Sequence, residues 1–153
     1  MKNVLNRYIY FFIALSVIGL DRITKMWALS LKGQLVVNSY LSFDLVYNRG
    51  ISWGFFNSSD AFRFYLVTVL IMLVMVVLAW HARFRIQEHK AVIGEVLVLA
   101  GGLSNLFDRL YYKGVIDFIE LSYHNFSWPI FNCADIAIVM GVGLMVYTVI
   151  RDI

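Results

Sequence analysis

The chain has 153 residues, enough for one domain. Hydrophobic residues make up 61% of it and charged residues 15%, with a mean hydropathy of +0.74; soluble domains use about 45–50% apolar residues, so a water-exposed globule is excluded and an integral membrane protein is expected. The net charge of +3 comes from basic residues scattered between apolar runs, which implies contact with anionic lipid headgroups and not with nucleic acid.

Lys2 and Arg7 precede the apolar run Tyr8 to Leu20. No small-residue cleavage site follows, and Asp21, Arg22 and Lys25 come next instead, so this run reads as an uncleaved first span that also serves as the insertion signal. Runs of about 20 apolar residues predict four spans, over about 8–27, 64–80, 91–107 and 132–150. Asp21 and Lys25 fall in the last turns of the first span. The second carries no charge. The third carries only Glu95, expected to snorkel to the interface from one end, and the fourth carries Asp135 near its start. Trp27, Trp53, Trp80 and Trp128 fall at or near predicted span ends, as an aromatic belt requires. Pro129, the single proline, precedes the fourth span, where a fixed φ suits a helix start. Gly101 and Gly102 in the third span, with Gly141 and Gly143 in the fourth, allow close helix approach.

An even number of spans places both termini on one side. The N-terminus and a short loop from His81 to Lys90 read as cytoplasmic, but the opposing side holds as many basic residues, so the positive-inside rule does not decide orientation. Loop length points the two longer connections, about 32–60 and 110–130, to the extracytoplasmic face. In the first of these, Leu41, Phe43, Leu45 and Tyr47 alternate with Ser42, Asp44, Val46 and Asn48, the period of a half-buried strand. Gly50 breaks the run and Ile51 to Phe56 resumes it, predicting a small sheet on the membrane face with its apolar side toward lipid. Ser58, Ser59 and Asp60 then supply caps for the second span.

Three carboxylates, Asp108, Asp117 and Asp135, gather in the last third of the chain, in GGLSNLFDR (Gly101 to Arg109), GVIDFIE (Gly114 to Glu120) and WPIFNCADIAI (Trp128 to Ile138). An ionisable group at membrane depth is a functional candidate by default. Asp117, in the loop after the third span, and Asp135, at the top of the fourth, map to one membrane face. Two adjoining carboxylates share a proton, which supplies one general base and one general acid. The same residues have plainer readings. Asn132 with Asp135 three positions on resembles a capping pair, and Asp117 fits an ordinary solvated loop aspartate.

Asn105, Asp108 and Arg109 share one helical face at the outer end of the third span. Asp108 with Arg109 fits a structural ion pair, and Arg109 with Asn105 fits a clamp on a substrate backbone or headgroup. Asp21 and Lys25, at i and i+4, fit an interfacial pair, and Asn48 with Gly50 fits turn chemistry. Cys133, the single cysteine, has no general base at a recognisable spacing and reads as an inert thiol; it also rules out an internal disulfide. His81, His89 and His124 are dispersed, so metal or haem ligation is not expected.

Taken in order, DRITK (Asp21 to Lys25), NRGISWG (Asn48 to Gly54), GGLSNLFDR, GVIDFI and FNCAD resemble the motifs of the lipoprotein signal peptidases, or signal peptidase II, which are bacterial aspartic membrane proteases. The resemblance covers essentially the whole chain. It implies a single membrane protease domain over 1–153, a four-helix transmembrane bundle with a small extracytoplasmic sheet lying on the membrane. It implies that Asp117 and Asp135 are the catalytic dyad, and that Asp21, Lys25, Asn48, Gly50, Asn105, Asp108, Arg109 and Asn132 shape and support the site. No metal or organic cofactor is implied. The implied substrate is a prolipoprotein whose cysteine carries a diacylglyceryl group, cut just before that cysteine. The implied setting is the bacterial inner membrane, with cytoplasmic termini and the site on the extracytoplasmic side. Membrane lipids are the other partner, and a monomer suffices because one chain holds every element the chemistry needs. A proton-coupled transporter subunit is the rival reading. It expects carboxylates near mid-span, whereas here they gather at one surface. A non-catalytic assembly subunit would use the glycine-lined spans as interaction faces.

Overall fold

A computed structural model describes residues 2–50, 61–124 and 126–151, with side chains from residue 6. Four helices and four strands follow one another as α1 (Lys2–Leu29), β1 (Leu35–Val36), β2 (Leu41–Asn48), α2 (Ala61–Gln87), α3 (Ile93–Tyr112), β3 (Val115–Tyr123), β4 (Phe126–Ser127) and α4 (Cys133–Arg151). Among the described residues, α2 and α4 are long and apolar enough to cross a membrane. Their outward faces keep large apolar side chains exposed, Val77 and Val139 among them, a surface that water does not tolerate.

Every helix extends beyond its predicted span at one end or both, α2 most. His81, Arg83 and Arg85, expected in a loop from His81 to Lys90, lie on α2, and the turn to α3 shrinks to residues 88–92. The physical reason is Glu95. It does not snorkel. It is buried on the inner face of α3 and pairs with Arg85 at 3.2 Å and His81 at 3.5 Å, which ties the last turns of α2 to the start of α3. Trp80 accordingly falls inside α2, not at its end. Trp53, the strand expected at Ile51 to Phe56 and the caps expected at Ser58 to Asp60 lie outside the described residues.

α3 and α4 approach most closely through glycine. A Cβ on Gly101 would stand 2.6 Å from the Ala134 carbonyl oxygen, and one on Gly141 would stand 2.6 Å from that of Gly94. No side chain fits at either place. Gly94, unremarked in the sequence, is the third member of this seam. Gly102 instead faces Met75 of α2, and Gly143 faces open space.

The sheet is antiparallel throughout, in the order β1-β2-β3-β4. The alternation read at 41–48 is β2, its bounds as expected. The sheet as a whole is not confined to 32–60, because β3 and β4 come from the later connection. Nor does its packed side face open lipid. Ile116 and Phe118 of β3 bury themselves with Ala28, and Leu29, Tyr112 and Cys133 pack around them, so the sheet sits on the ends of α1, α3 and α4. Trp27 seals the joint edge-on to Phe43, with ring centroids 5.0 Å apart. The chain after β4 returns to β3 through a bridge between Ile119 and Phe131 and enters α4 there.

Candidate active site

Asp117 is on a strand, not in a solvated loop. In GVIDFI the apolar Ile116 and Phe118 point one way into the core, so the period of two turns Asp117 the other way. It is 2% exposed. Asn48, the last residue of β2, donates from Nδ2 to Asp117 Oδ2 at 2.9 Å, while its Oδ1 accepts the Gly50 N–H at 2.9 Å. That turn bond fixes which end of the Asn48 amide faces the carboxylate.

Asn132 does the same from the other side. It caps α4 reciprocally: its Oδ1 accepts the Asp135 N–H at 2.9 Å, and its own N–H donates to Asp135 Oδ2 at 3.2 Å. The capping-pair reading is therefore correct, and it does not compete with a functional one. With Oδ1 committed to the cap, the Asn132 Nδ2 group is left to donate to Asp117 Oδ1 at 2.6 Å. One asparagine thus touches both carboxylates. Asn105 completes the set, donating from Nδ2 to Asp135 Oδ1 at 2.8 Å while its Oδ1 accepts from Lys25 Nζ at 2.8 Å and Asn132 Nδ2 at 3.2 Å.

The two carboxylates share a cavity of about 180 Å³ whose wall includes Asn48, Asn105 and Arg109. Burial and the adjacent charge of Asp135 push the Asp117 carboxyl up to about 7, against the smaller opposing effect of the asparagine donors. A carboxyl so placed exchanges a proton near neutral pH, as a general acid or base must. Arg109, in the last turn of α3, bonds the carbonyls of Arg49 and Gly50 and lies close enough to both aspartates for its charge to reach them.

Behind this cavity stands a second set of charges. Lys25 Nζ meets Asp21 and Asp108 at 2.8 Å each, and with Asn105 these use all three of its protons. Arg22 reaches Asp108 at 2.7 Å and Asp21 at 3.1 Å. The expected Asp21–Lys25 pair exists, but it is fully buried and not interfacial. The expected Asp108–Arg109 pair does not form. Adjacent helix positions point about 100° apart, so Asp108 turns to α1 while Arg109 turns to the 49–50 carbonyls. Asp108 Oδ2 also accepts the Ile116 N–H at 3.2 Å, and Asp21 Oδ1 accepts the Ala134 N–H at 2.9 Å. The cluster thereby pins the starts of β3 and α4, the two elements that carry Asp117 and Asp135.

Two members of this cluster escaped the sequence reading. In the sequence Arg22 figures only among the charges after the first apolar run and within DRITK, and Ser104, which donates to Asp21 at 2.6 Å, is not singled out. Their signal was present: Ser104 and Asp108 form an i, i+4 pair one step around the helix from Asn105 and Arg109. Cys133 packs into the core and accepts from Thr24 at 3.4 Å. Among the described residues no group of three or more His, Cys, Asp or Glu is placed to hold a metal ion.

A sequence profile described as signal peptidase (SPase) II matches residues 13–151. Among curated proteins, the lipoprotein signal peptidase of Teredinibacter turnerae is 36% identical over 149 residues, covering 95% of this chain and 89% of that one. The lipoprotein signal peptidase of Clostridium novyi is 33% identical over 138 residues, covering 87% and 91%. Among solved structures, a bacterial membrane enzyme determined by the in meso method at 1.9 Å superposes with a TM-score of 0.73 at 27% identity, covering 94% of each chain. A second, at 2.3 Å, gives a TM-score of 0.75 at 22% identity and supports the fold alone.

Proposed function

The chain belongs to the signal peptidase II family, aspartic proteases that remove signal peptides from prolipoproteins, and from that premise we propose that Asp117 and Asp135 are its catalytic dyad. One observation carries the assignment: Asn132 holds both carboxylates at once, in a cavity where their hydrogen-bond partners are uncharged.

The pair works with a single proton between its two members. The ionised carboxylate takes a proton from water as the oxygen attacks the scissile carbonyl. The protonated carboxyl donates its hydrogen bond to the carbonyl oxygen, where negative charge develops. The tetrahedral adduct then collapses as the departing amine receives the proton that the first carboxylate took from water, and the pair is left again with one proton between its members. Asn48, Asn105 and Asn132 aim the carboxylates throughout. Because the two titrate as a unit, base and acid are roles of the pair and not of one residue.

The reading extends to the setting. All four helices cross the bilayer of the bacterial inner membrane as one domain over 1–153. The termini are cytoplasmic and the sheet lies on the extracytoplasmic side. The substrate is a precursor with a diacylglyceryl cysteine, cut just before that residue by a monomeric enzyme. The sheet and the ends of α3 and α4 then hold the dyad where hydrocarbon meets water, the depth at which such a bond is presented.

The test is cleavage of a synthetic lipid-modified precursor by purified enzyme in lipid nanodiscs. Asp117→Asn and Asp135→Asn should each lose about 10²–10⁴-fold or more in kcat. Ordinary turnover by both variants sinks the dyad. The unlipidated precursor should be cleaved poorly, and equal turnover of the two forms removes lipid recognition from the account.

A further inference from the structure

A second cavity, of about 430 Å³, adjoins the first along α4, sharing Asp135 and Ile138 with it. Its walls are the outward face of α4, with Ile136, Val139 and Met140, and the returning segment before that helix, with Trp128 and Phe131; Asp135 closes one end. Among the described residues that line it, Asp135 alone has a polar side chain besides the Trp128 indole. The first cavity is smaller and carries more polar side chains, with Asn48, Asn105, Arg109 and both aspartates set among Ile71, Leu106, Val115 and Ile138.

We propose that this groove seats an acyl chain of the substrate's diacylglyceryl group, while the first cavity, with its amide and carboxylate side chains, takes the peptide backbone. The inference rests on the dyad reading and adds the place of lipid recognition to it. Three observations favour that occupant. The groove is continuous with the proposed catalytic pair, since Asp135 and Ile138 belong to both walls. Its far wall is helix surface that lies open, with Val139 71% and Met140 58% exposed, so in a bilayer it opens sideways to hydrocarbon. It also runs along the helix from Asp135 to Met140, five residues or about 7.5 Å of rise. A chain attached next to the scissile bond and descending into the membrane follows that course. Its volume lies within the roughly 300–1,000 Å³ of sites that enclose a small ligand.

The experiment compares one precursor peptide carrying octanoyl or palmitoyl chains, cleaved by the wild-type protein and by Val139→Trp, which fills the groove. The ratio of KM for the long-chain substrate to KM for the short-chain one should rise about tenfold, equivalent to about 1.4 kcal/mol. Val77→Trp, on the outward face of α2, should leave that ratio where it was. An equal rise for both chain lengths means the peptide occupies the groove, and no rise for either means the substrate does not enter it; either result overturns the proposal. Should Val139→Trp fail to fold, a palmitoyl chain bearing a mid-chain diazirine is irradiated on the Asp117→Asn variant. Crosslinks should then map to residues 128–140, and crosslinks confined to α2 overturn the proposal as well. Failure of the wild-type protein to cleave any lipidated precursor is a separate outcome, which removes the dyad reading itself.

Discussion

The chain buries two pairs of aspartates, linked through Asn105, and treats them in opposite ways. Asp21 and Asp108, both wholly buried, accept from Lys25 and Arg22, so two negative charges meet two positive ones. Asp117 and Asp135 accept from the side chains of Asn48, Asn105 and Asn132 and from one backbone N–H. Amide donors orient a carboxylate without neutralising it. The first pair is matched by cations and acts as a rivet between α1 and α3, whereas the second has only amide donors bonded to it, as the proposed dyad requires. Burial alone does not distinguish a structural aspartate from a reactive one; the charge of its donors does.

The largest test of that contrast is to remove one cation from the rivet. Lys25→Met leaves Asp21 and Asp108 with Arg22 alone, and breaking a buried ionic cluster in this way costs about 3–5 kcal/mol. At roughly 2–4 °C per kcal/mol for a chain of this size, thermal unfolding in detergent should begin some 10 °C earlier. Asp135→Asn, by contrast, should abolish cleavage and leave the melting temperature near or above that of the wild type. If the two variants melt alike, the contrast between the pairs is wrong.

Next in size is Asn132→Asp. The new side chain still caps α4, but it can no longer donate to Asp117 and brings a third negative charge into the site. Turnover should fall about 10²-fold or more, measured as kcat at saturating precursor on protein that melts normally. Retention of activity would mean the amide is only a cap.

A smaller effect separates the pairs by pH. The Asp117 carboxyl sits at about 7 when folded, against an ordinary value of 3.8. The folded protein therefore holds this proton more tightly than the unfolded chain. Below pH 4 the difference contributes fully to stability, and it is lost as pH rises toward and through 7. Asp117→Asn has no such dependence, so its melting temperature relative to the wild type should climb by several degrees between pH 4.5 and 7.5. A constant offset across that range would deny the raised titration.

Much of this architecture was legible in the sequence, because its signals are local. β2 follows from alternation over eight residues, and the helices follow from sustained apolar runs. The Asn132 and Asp135 cap was readable from a spacing of three. What the spacing could not convey is that one amide has two ends: occupying Oδ1 in the cap aims Nδ2 at Asp117, and that depends on a strand residue fifteen positions earlier in the chain arriving alongside. The charges misled for the same reason. Asp108 and Arg109 are neighbours in sequence but face different partners, and Glu95 is held inward by Arg85 across a helix hairpin. The partner that decides a buried charge's role is usually distant in sequence, and the sheet's third and fourth strands were hidden likewise in a connection whose pairing is non-local.

The finest distinction concerns Asn48, which touches Asp117 but not Asp135 or the charged cluster. With one proton shared between the proposed dyad's members, cleavage weakens on the alkaline side as that proton is lost, near the pH at which Asp117 titrates. A donor to Asp117 Oδ2 favours the ionised form, so Asn48→Ala should raise the titration further and move the alkaline limb of kcat/KM upward. A hydrogen bond to a charged group is worth about 1.5–3 kcal/mol and one pH unit corresponds to about 1.4 kcal/mol. Solvent filling the vacated space replaces part of it, which leaves an upward shift of about one unit. Asn48 also accepts the Gly50 N–H, and loss of that turn bond alone would lower kcat at every pH without moving the limb. A limb that stays in place or moves down therefore assigns Asn48 to the loop, while an upward shift assigns it to the carboxylate. The second result is the one expected if uncharged donors tune the pair that charged donors would silence.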